Sequence, residues 1–158
     1  MKGIGVRPAG VGDARALAEL RWHAKREEAG ADPVGEDFAA RCEEWLRARL
    51  TAGTWRAWLA ETAEGRVCGQ VFLGLVEKVP DPDPGAPAAL GYVTAFYVVP
   101  ELRGRGIGGA LLAEVERHAH DAGLDTLVVW PSRRSTPLYR RSGYTDPAEL
   151  LERPVAPQ

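Results

Sequence analysis

Val98-Val99-Pro100-Glu101-Leu102-Arg103-Gly104-Arg105-Gly106-Ile107-Gly108-Gly109-Ala110-Leu111-Leu112 is the stretch on which the fold turns. Four of the six residues 104–109 are glycine, and glycine at a helix start carries a high cost in chain entropy. That cost makes sense where the backbone must approach another group closely. Successive N–H groups at a helix N-terminus, at the positive end of the helix dipole, form an anion site. Arg103 and Arg105 add charge at the same place, so a pyrophosphate suits the turn.

Working outward, Leu90–Val99 has strand composition and the chain from Arg105 to Ala122 reads as helix, stopped near Gly123. Upstream, Ile4–Pro8 reads as an opening strand. A helix follows from Val11-Gly12-Asp13 to Gly30, with Ala16, Leu17, Leu20 and Ala24 at helical spacing. After the Gly/Pro break at 30–35, a second helix carries Phe38, Cys42, Trp45, Leu46 and Leu50 on one side and stops at Gly53. Trp55–Glu61 and Val67–Val79 read as strands joined by a turn at Glu64-Gly65, with Gly69 and Gly74 as bulge or close-approach sites. The proline-rich segment 80–87 is a loop. Downstream, Thr126–Trp130 reads as a short buried strand, Pro137–Ser142 as a brief helix closed by Gly143, and residues 150–155 as a final small strand. The order β-α-α-β-β-β-α-β-α-β predicts an α/β protein with one mixed sheet and helices on both faces, and residues 1–158 read as a single domain.

With 158 residues, 45% hydrophobic and 27% charged, the chain can bury its own core. No run approaches the ~18 apolar residues of a membrane helix, and the N-terminus lacks the apolar core of a signal peptide. Cys42 and Cys68 have no framework or metal spacing and read as free buried thiols. The expectation is a cytoplasmic protein without a membrane partner or a metal. Net charge is −2, which argues against nucleic acid as a partner. Residues 101–144 nevertheless hold seven arginines against five acids, a net +2 against −4 elsewhere, which suits a small polyanion. His23, His118 and His120 show no metal spacing and read as surface residues.

Gly104-x-Gly106-x-x-Gly109 also fits a dinucleotide fingerprint, with Asp125 near the ribose-binding offset. Against that, Pro100–Arg103 intervenes where the fingerprint wants a tight turn. The chain after Gly109 is also too short for the rest of a doubly wound nucleotide domain.

The segment resembles instead the acyl-CoA-binding motif of the GNAT superfamily of N-acetyltransferases, Arg/Gln-x-x-Gly-x-Gly/Ala, here Arg103-Gly104-Arg105-Gly106-Ile107-Gly108. A second family motif, Tyr-x-x-x-Gly-Phe/Tyr, is matched by Tyr139-Arg140-Arg141-Ser142-Gly143-Tyr144. The resemblance is strong from 92 to 144 and extends weakly from Ile4 to about Val155. It implies the GNAT fold and acetyl-CoA as cosubstrate, with the pyrophosphate over the amides of Arg103, Gly104, Arg105, Gly106, Ile107, Gly108 and Gly109, extended to Ala110. It also implies a pantetheine arm along the backbone of Phe96, Tyr97 and Val98.

The implied reaction is direct acetyl transfer to a small-molecule or peptidyl amine, with Tyr139 as the acid that protonates the departing thiolate. The strand glutamate that many members use as a base is replaced by Thr94; Glu77 and Asp81 are fallback candidates, and a water relay is equally admissible. The frequent asparagine seven residues before the tyrosine is replaced by Ser132, which can still hydrogen-bond the cofactor. Arg133, Arg134, Arg140 and Arg141 are candidates for the adenosine phosphates. Trp22 and Phe38 fall where the family shapes its acceptor pocket, and the acidic loop at Asp81 and Asp83 is a candidate attractor of cationic amines. Homodimers are common in the family. The competing function is a non-catalytic acyl-CoA-binding regulatory module.

Overall fold

The computed structural model describes residues 3–30, 37–147, 150–153 and 155. Strand β1 (Ile4–Pro8) is followed by helices α1 (Ala14–Ala29) and α2 (Phe38–Ala52). A meander of β2 (Trp55–Thr62), β3 (Val67–Glu77) and β4 (Ala89–Val98) comes next, then α3 (Ile107–Asp121), β5 (Leu127–Val129) and α4 (Thr136–Arg141). The five strands form one sheet in the order β1-β2-β3-β4-β5. All neighbours are antiparallel except β4 and β5, which run parallel. No helix of the described residues is long and apolar enough to cross a membrane.

Period-2 alternation sends successive strand side chains to opposite faces. Trp58, Ala60, Val71, Leu73 and Val93 face one layer, where Ile107, Leu111, Leu112 and Val115 of α3 cover them. Ala57, Leu59 and Phe72 face the other, against Leu17 and Ala18 of α1 and Leu46 of α2. The expected mixed sheet with helices on both faces is therefore the one found.

Two features of β4 position the site. Its register with β3 passes from Gln70↔Tyr97 to Phe72↔Thr94, leaving one extra residue on β4. Ala95 takes φ +50 at this bulge, a conformation uncommon outside glycine. The wholly buried Gln70 donates from Nε2 to the Ala95 carbonyl at 3.4 Å. The second feature is the β4–β5 pairing, which spans only Gly91–Val93 against Leu127–Val129. Past Val93 the two strands diverge, and β4 keeps an unpaired edge.

Several element limits differ from the sequence reading. α3 starts at Ile107 rather than Arg105, because Gly104 and Gly106 take φ +76 and +82 and hold the chain in a turn. β3 ends at Glu77, where the chain becomes fully exposed. β5 is half-buried and three residues long rather than a buried five-residue strand, since it is an edge strand with a single neighbour. No strand forms over residues 150–153 and 155; Leu151 and Val155 stand 95% and 93% exposed, with no sheet face to bury against. Residue 154, and the break at 31–36 between α1 and α2, lie outside the described residues. Gly74 is a close-approach site, since a Cβ there would meet the Trp55 ring at 3.0 Å.

Candidate active site

The turn Arg103–Gly106 is a backbone device. The first helical N–H groups have no intrahelical carbonyl, so those of Ile107, Gly108 and Gly109 are open to a ligand at the positive end of α3. A Cβ at Gly104 or Gly109 would meet nothing within 4 Å, whereas one at Gly108 would lie 2.9 Å from Phe96 Cζ and 3.0 Å from Leu138 Cδ2. Gly108 is thus required for the helix to press against β4 and α4. Two of the expected amides are already committed: Ala110 N–H donates to the Gly106 carbonyl at 3.1 Å and Arg103 N–H to the Pro100 carbonyl at 3.3 Å.

A groove of about 410 Å³ opens beside these amides. It brings together Phe96, Tyr97, Val98, Arg103, Gly104, Gly106, Ile107, Gly108, Gly109 and Ser132 of the residues expected from sequence, with Arg134 and Arg141 of the four candidate arginines, and adds Glu28, Ser135 and Leu138. Arg105 and Ala110 lie outside its lining. The groove runs from the glycine turn along the unpaired edge of β4, offering N–H groups to a pyrophosphate and main-chain groups to an extended amide-bearing arm. Acetyl-CoA, a cofactor of that shape, fits the residues present.

The Arg103 side chain does something the sequence did not suggest. Its Nε donates to the Val98 carbonyl at 2.8 Å, closing the end of the strand edge, and its guanidinium packs over the Tyr97 ring. Its other nitrogens grip Glu27 of α1 at 2.8 and 2.6 Å. Arg134 reaches the same carboxylate. Glu27 therefore ties α1, the glycine turn and the β5–α4 loop together. Arg103, with Arg134 assisting, holds its carboxyl down at about 2. Arg140 is engaged with Asp146 at 3.0 Å, while Arg133 is exposed.

Tyr139 is buried at 3% exposure, edge-on to Phe96 and to Tyr144 at centroid distances of 6.0 and 5.2 Å. It stands behind Phe96 rather than in the groove lining. Burial, with Tyr144 and Tyr92 adding to it, pushes its phenol well above the ordinary value, so the proton is retained throughout the neutral range.

A second cavity of about 370 Å³ lies on the opposite face of β4. Phe72, Thr94 and Ala95 of the sheet border it, with Arg21 of α1, Phe38, Arg41, Cys42, Trp45 and Leu46 of α2, and Trp55. Ala95 borders one cavity and Phe96 the other, so the two sites meet at the bulge. Phe38 and Thr94 are placed here as the sequence suggested. Trp22 stacks on Phe38 at 5.7 Å from behind. Glu77 is not brought to either cavity: it is exposed and pairs with Ala89, about 16 Å along β3 from Phe72 at the usual rise per residue. The Asp81 and Asp83 carboxylates accept N–H bonds from Asp83 and Gly85 and so close their own turn. Arg21, Arg41, Cys42 and Trp45 carried no signal in sequence, because helix spacing does not say which polar neighbours overlook a cavity.

His118 is half-buried against Trp58, 5.4 Å between rings, rather than a plain surface residue. Cys68 is fully buried and Cys42 partly, both as free thiols. Among the described residues no group of three or more His, Cys, Asp or Glu side chains is placed to hold a metal.

An α/β sheet that opens beside a glycine-built helix start defines the class of acyl-CoA-dependent transferases. The profile of the acetyltransferase (GNAT) family matches residues 15–144, and the chain belongs to that family, whose members use acetyl-CoA. A GCN5-related N-acetyltransferase from Ralstonia eutropha JMP134 is 27% identical, with TM-score 0.75 over 98% of this chain and 100% of that one. Two further structures share the fold. A predicted acetyltransferase with acetyl-CoA from Clostridium acetobutylicum is 20% identical, with TM-score 0.77 over 96% of each chain. Glucosamine-6-phosphate N-acetyltransferase from Arabidopsis thaliana is 13% identical, with TM-score 0.73 over 98% of this chain and 100% of that one. No sequence among curated proteins matches the chain.

Proposed function

We propose that the protein transfers an acetyl group from acetyl-CoA to the nitrogen of an amine by direct attack. The observation that carries this reading is the meeting of two cavities at the β4 bulge, one lined by free amides and the other by side chains. Acetyl-CoA supplies an activated acyl carbonyl. The amides of Gly104 to Gly109 hold its diphosphate, and the backbone of Phe96 and Tyr97 pairs with its amide arm as an added strand would. Ser132 supplies a hydroxyl at the groove wall.

The acceptor nitrogen enters from the second cavity with its lone pair free, forms the new C–N bond at the acyl carbon, and the C–S bond breaks. The departing sulfur takes up a proton, for which the family motif offers Tyr139, kept protonated by its burial behind Phe96, and the proton lost from nitrogen leaves to solvent. Atoms and charge balance as amine plus thioester giving amide plus thiol. Among the described residues no carboxylate borders the second cavity, so on this lining deprotonation of the ammonium falls to solvent and to the local field rather than to a glutamate at position 94.

Acetyl-CoA at about 100 times its dissociation constant should add roughly 2.7 kcal/mol to stability, read as a raised melting temperature, with NAD giving no shift. No shift with acetyl-CoA at millimolar concentration would overturn the cofactor assignment. The absence of a carboxylate among the described lining residues also admits a non-catalytic acyl-CoA-binding module; thiol release with a panel of amines separates the two, since only an enzyme releases thiol in an amine-dependent way.

A further inference from the structure

The second cavity has a definite electrostatic character. Arg21, half-buried on α1, and Arg41, exposed on α2, both border it. Neither guanidinium has a hydrogen-bond or ion-pair partner among the described residues. Several arginines elsewhere in the fold are matched: Arg7 with Asp13 and Glu61, Arg47 with Glu43, Arg103 and Arg134 with Glu27. The remaining lining is mainly aromatic and aliphatic, including Phe38, Trp45, Trp55 and Phe72. The positive charge of Arg21 reaches into the space: burial pushes the Cys42 thiol up, and Arg21 acts against that rise.

We infer that the acceptor amine carries a carboxylate on an aromatic or bulky apolar body, with Arg21 and Arg41 binding the carboxylate and the aromatic walls the body. The inference rests on the acetyltransferase reading of the same site. Two guanidiniums without a partner and, among the described residues, no lining acid repel an ammonium and attract an anion. A planar guanidinium fork matches a carboxylate, which can accept from both arginines. The arrangement also helps the chemistry. Neighbouring positive charge favours the neutral amine, the form that attacks, in a cavity whose described lining offers no carboxylate base. Polycationic acceptors find no counter-charge among the described lining residues.

The test is a binding titration followed by tryptophan fluorescence, since Trp45 and Trp55 border the cavity, run on the purified full chain with and without saturating CoA. The probes are phenylalanine and 2-phenylethylamine, which share ring and amine and differ in the carboxylate. Phenylalanine should bind about tenfold more tightly, the size of one charge-assisted hydrogen bond. Arg21→Gln and Arg41→Gln should each weaken phenylalanine severalfold without weakening 2-phenylethylamine, whose ammonium they repel, and the double variant should abolish the preference. Equal or reversed affinities, no saturable change with either probe up to about 10 mM, or a preference that survives in the double variant would each overturn the inference. Acetyl-CoA binding is measured separately by thermal shift, so loss of the cofactor assignment and loss of the acceptor assignment give different results.

Discussion

The groove on one side of β4 and the cavity on the other are built from different materials. The groove is made of main chain: open amides at the start of α3, an unpaired strand edge, and a glycine that lets helix and strand approach. The cavity is made of side chains drawn from α1, α2 and the sheet. A main-chain site holds a ligand common to many sequences and leaves its imprint as glycine spacing. A side-chain site holds whatever its particular residues recognise and leaves no fixed pattern. The comparison explains why a cofactor is easier to assign than an acceptor.

Substitutions can break or sharpen that contrast. The largest effect is expected from Gly108→Val, because even a Cβ there falls 2.9 Å from Phe96 Cζ. Acetyl-CoA affinity measured calorimetrically should fall about 100-fold or more, equivalent to nearly 3 kcal/mol, while phenylalanine binding in the second cavity moves less than about twofold. A comparable loss in both cavities would mean that they are not separately built.

Tyr139→Phe comes next. Loss of the donor should lower kcat about tenfold or more, the low end for acid–base assistance, with the KM for acetyl-CoA unchanged. Unaltered turnover in a thiol-release assay removes Tyr139 from the reaction.

Glu27→Gln should lower the melting temperature by a few degrees, since it releases Arg103 and Arg134 together at a cost of about 1 kcal/mol for a partly exposed network. The sign with pH follows from the depressed carboxyl. Its stabilisation is present above the ordinary 4.5 and is lost as pH falls toward about 2. The variant's melting temperature should therefore change less than that of the wild type over this interval in circular dichroism. Identical pH profiles would show that the clamp contributes nothing.

The smallest effect is expected at Arg105. Its side chain is exposed and outside the groove, so Arg105→Gln should change acetyl-CoA affinity less than about threefold. A tenfold loss would assign its guanidinium to the phosphates.

What could be read from the sequence follows the same division. The glycine turn, the strand before it and the helix after it were legible because φ > 0 and close approach demand glycine, and glycine is visible in a sequence. The Ala95 bulge was not. Its left-handed conformation sits on an alanine with no glycine or asparagine to mark it, and it exists because β3 and β4 pair out of step. Arg103 was read correctly as a member of the groove, but its partner Glu27 lies 76 residues away, a separation at which sequence spacing carries no information. Arg21 and Arg41 resemble any charged helix residues until α1 and α2 are seen to lean over the same cavity. Thr94 in place of a glutamate was visible as a departure, and the paired arginines that accompany it were not.

The three-residue contact between β4 and β5 has a consequence for handling the protein. A strand with free main-chain groups is a template for any extended polypeptide, including another copy of this chain. Material purified after its CoA has been stripped away should thus be the form that clumps on concentration, and adding the nucleotide thioester back should act as a solubiliser, shielding that flank from its neighbours.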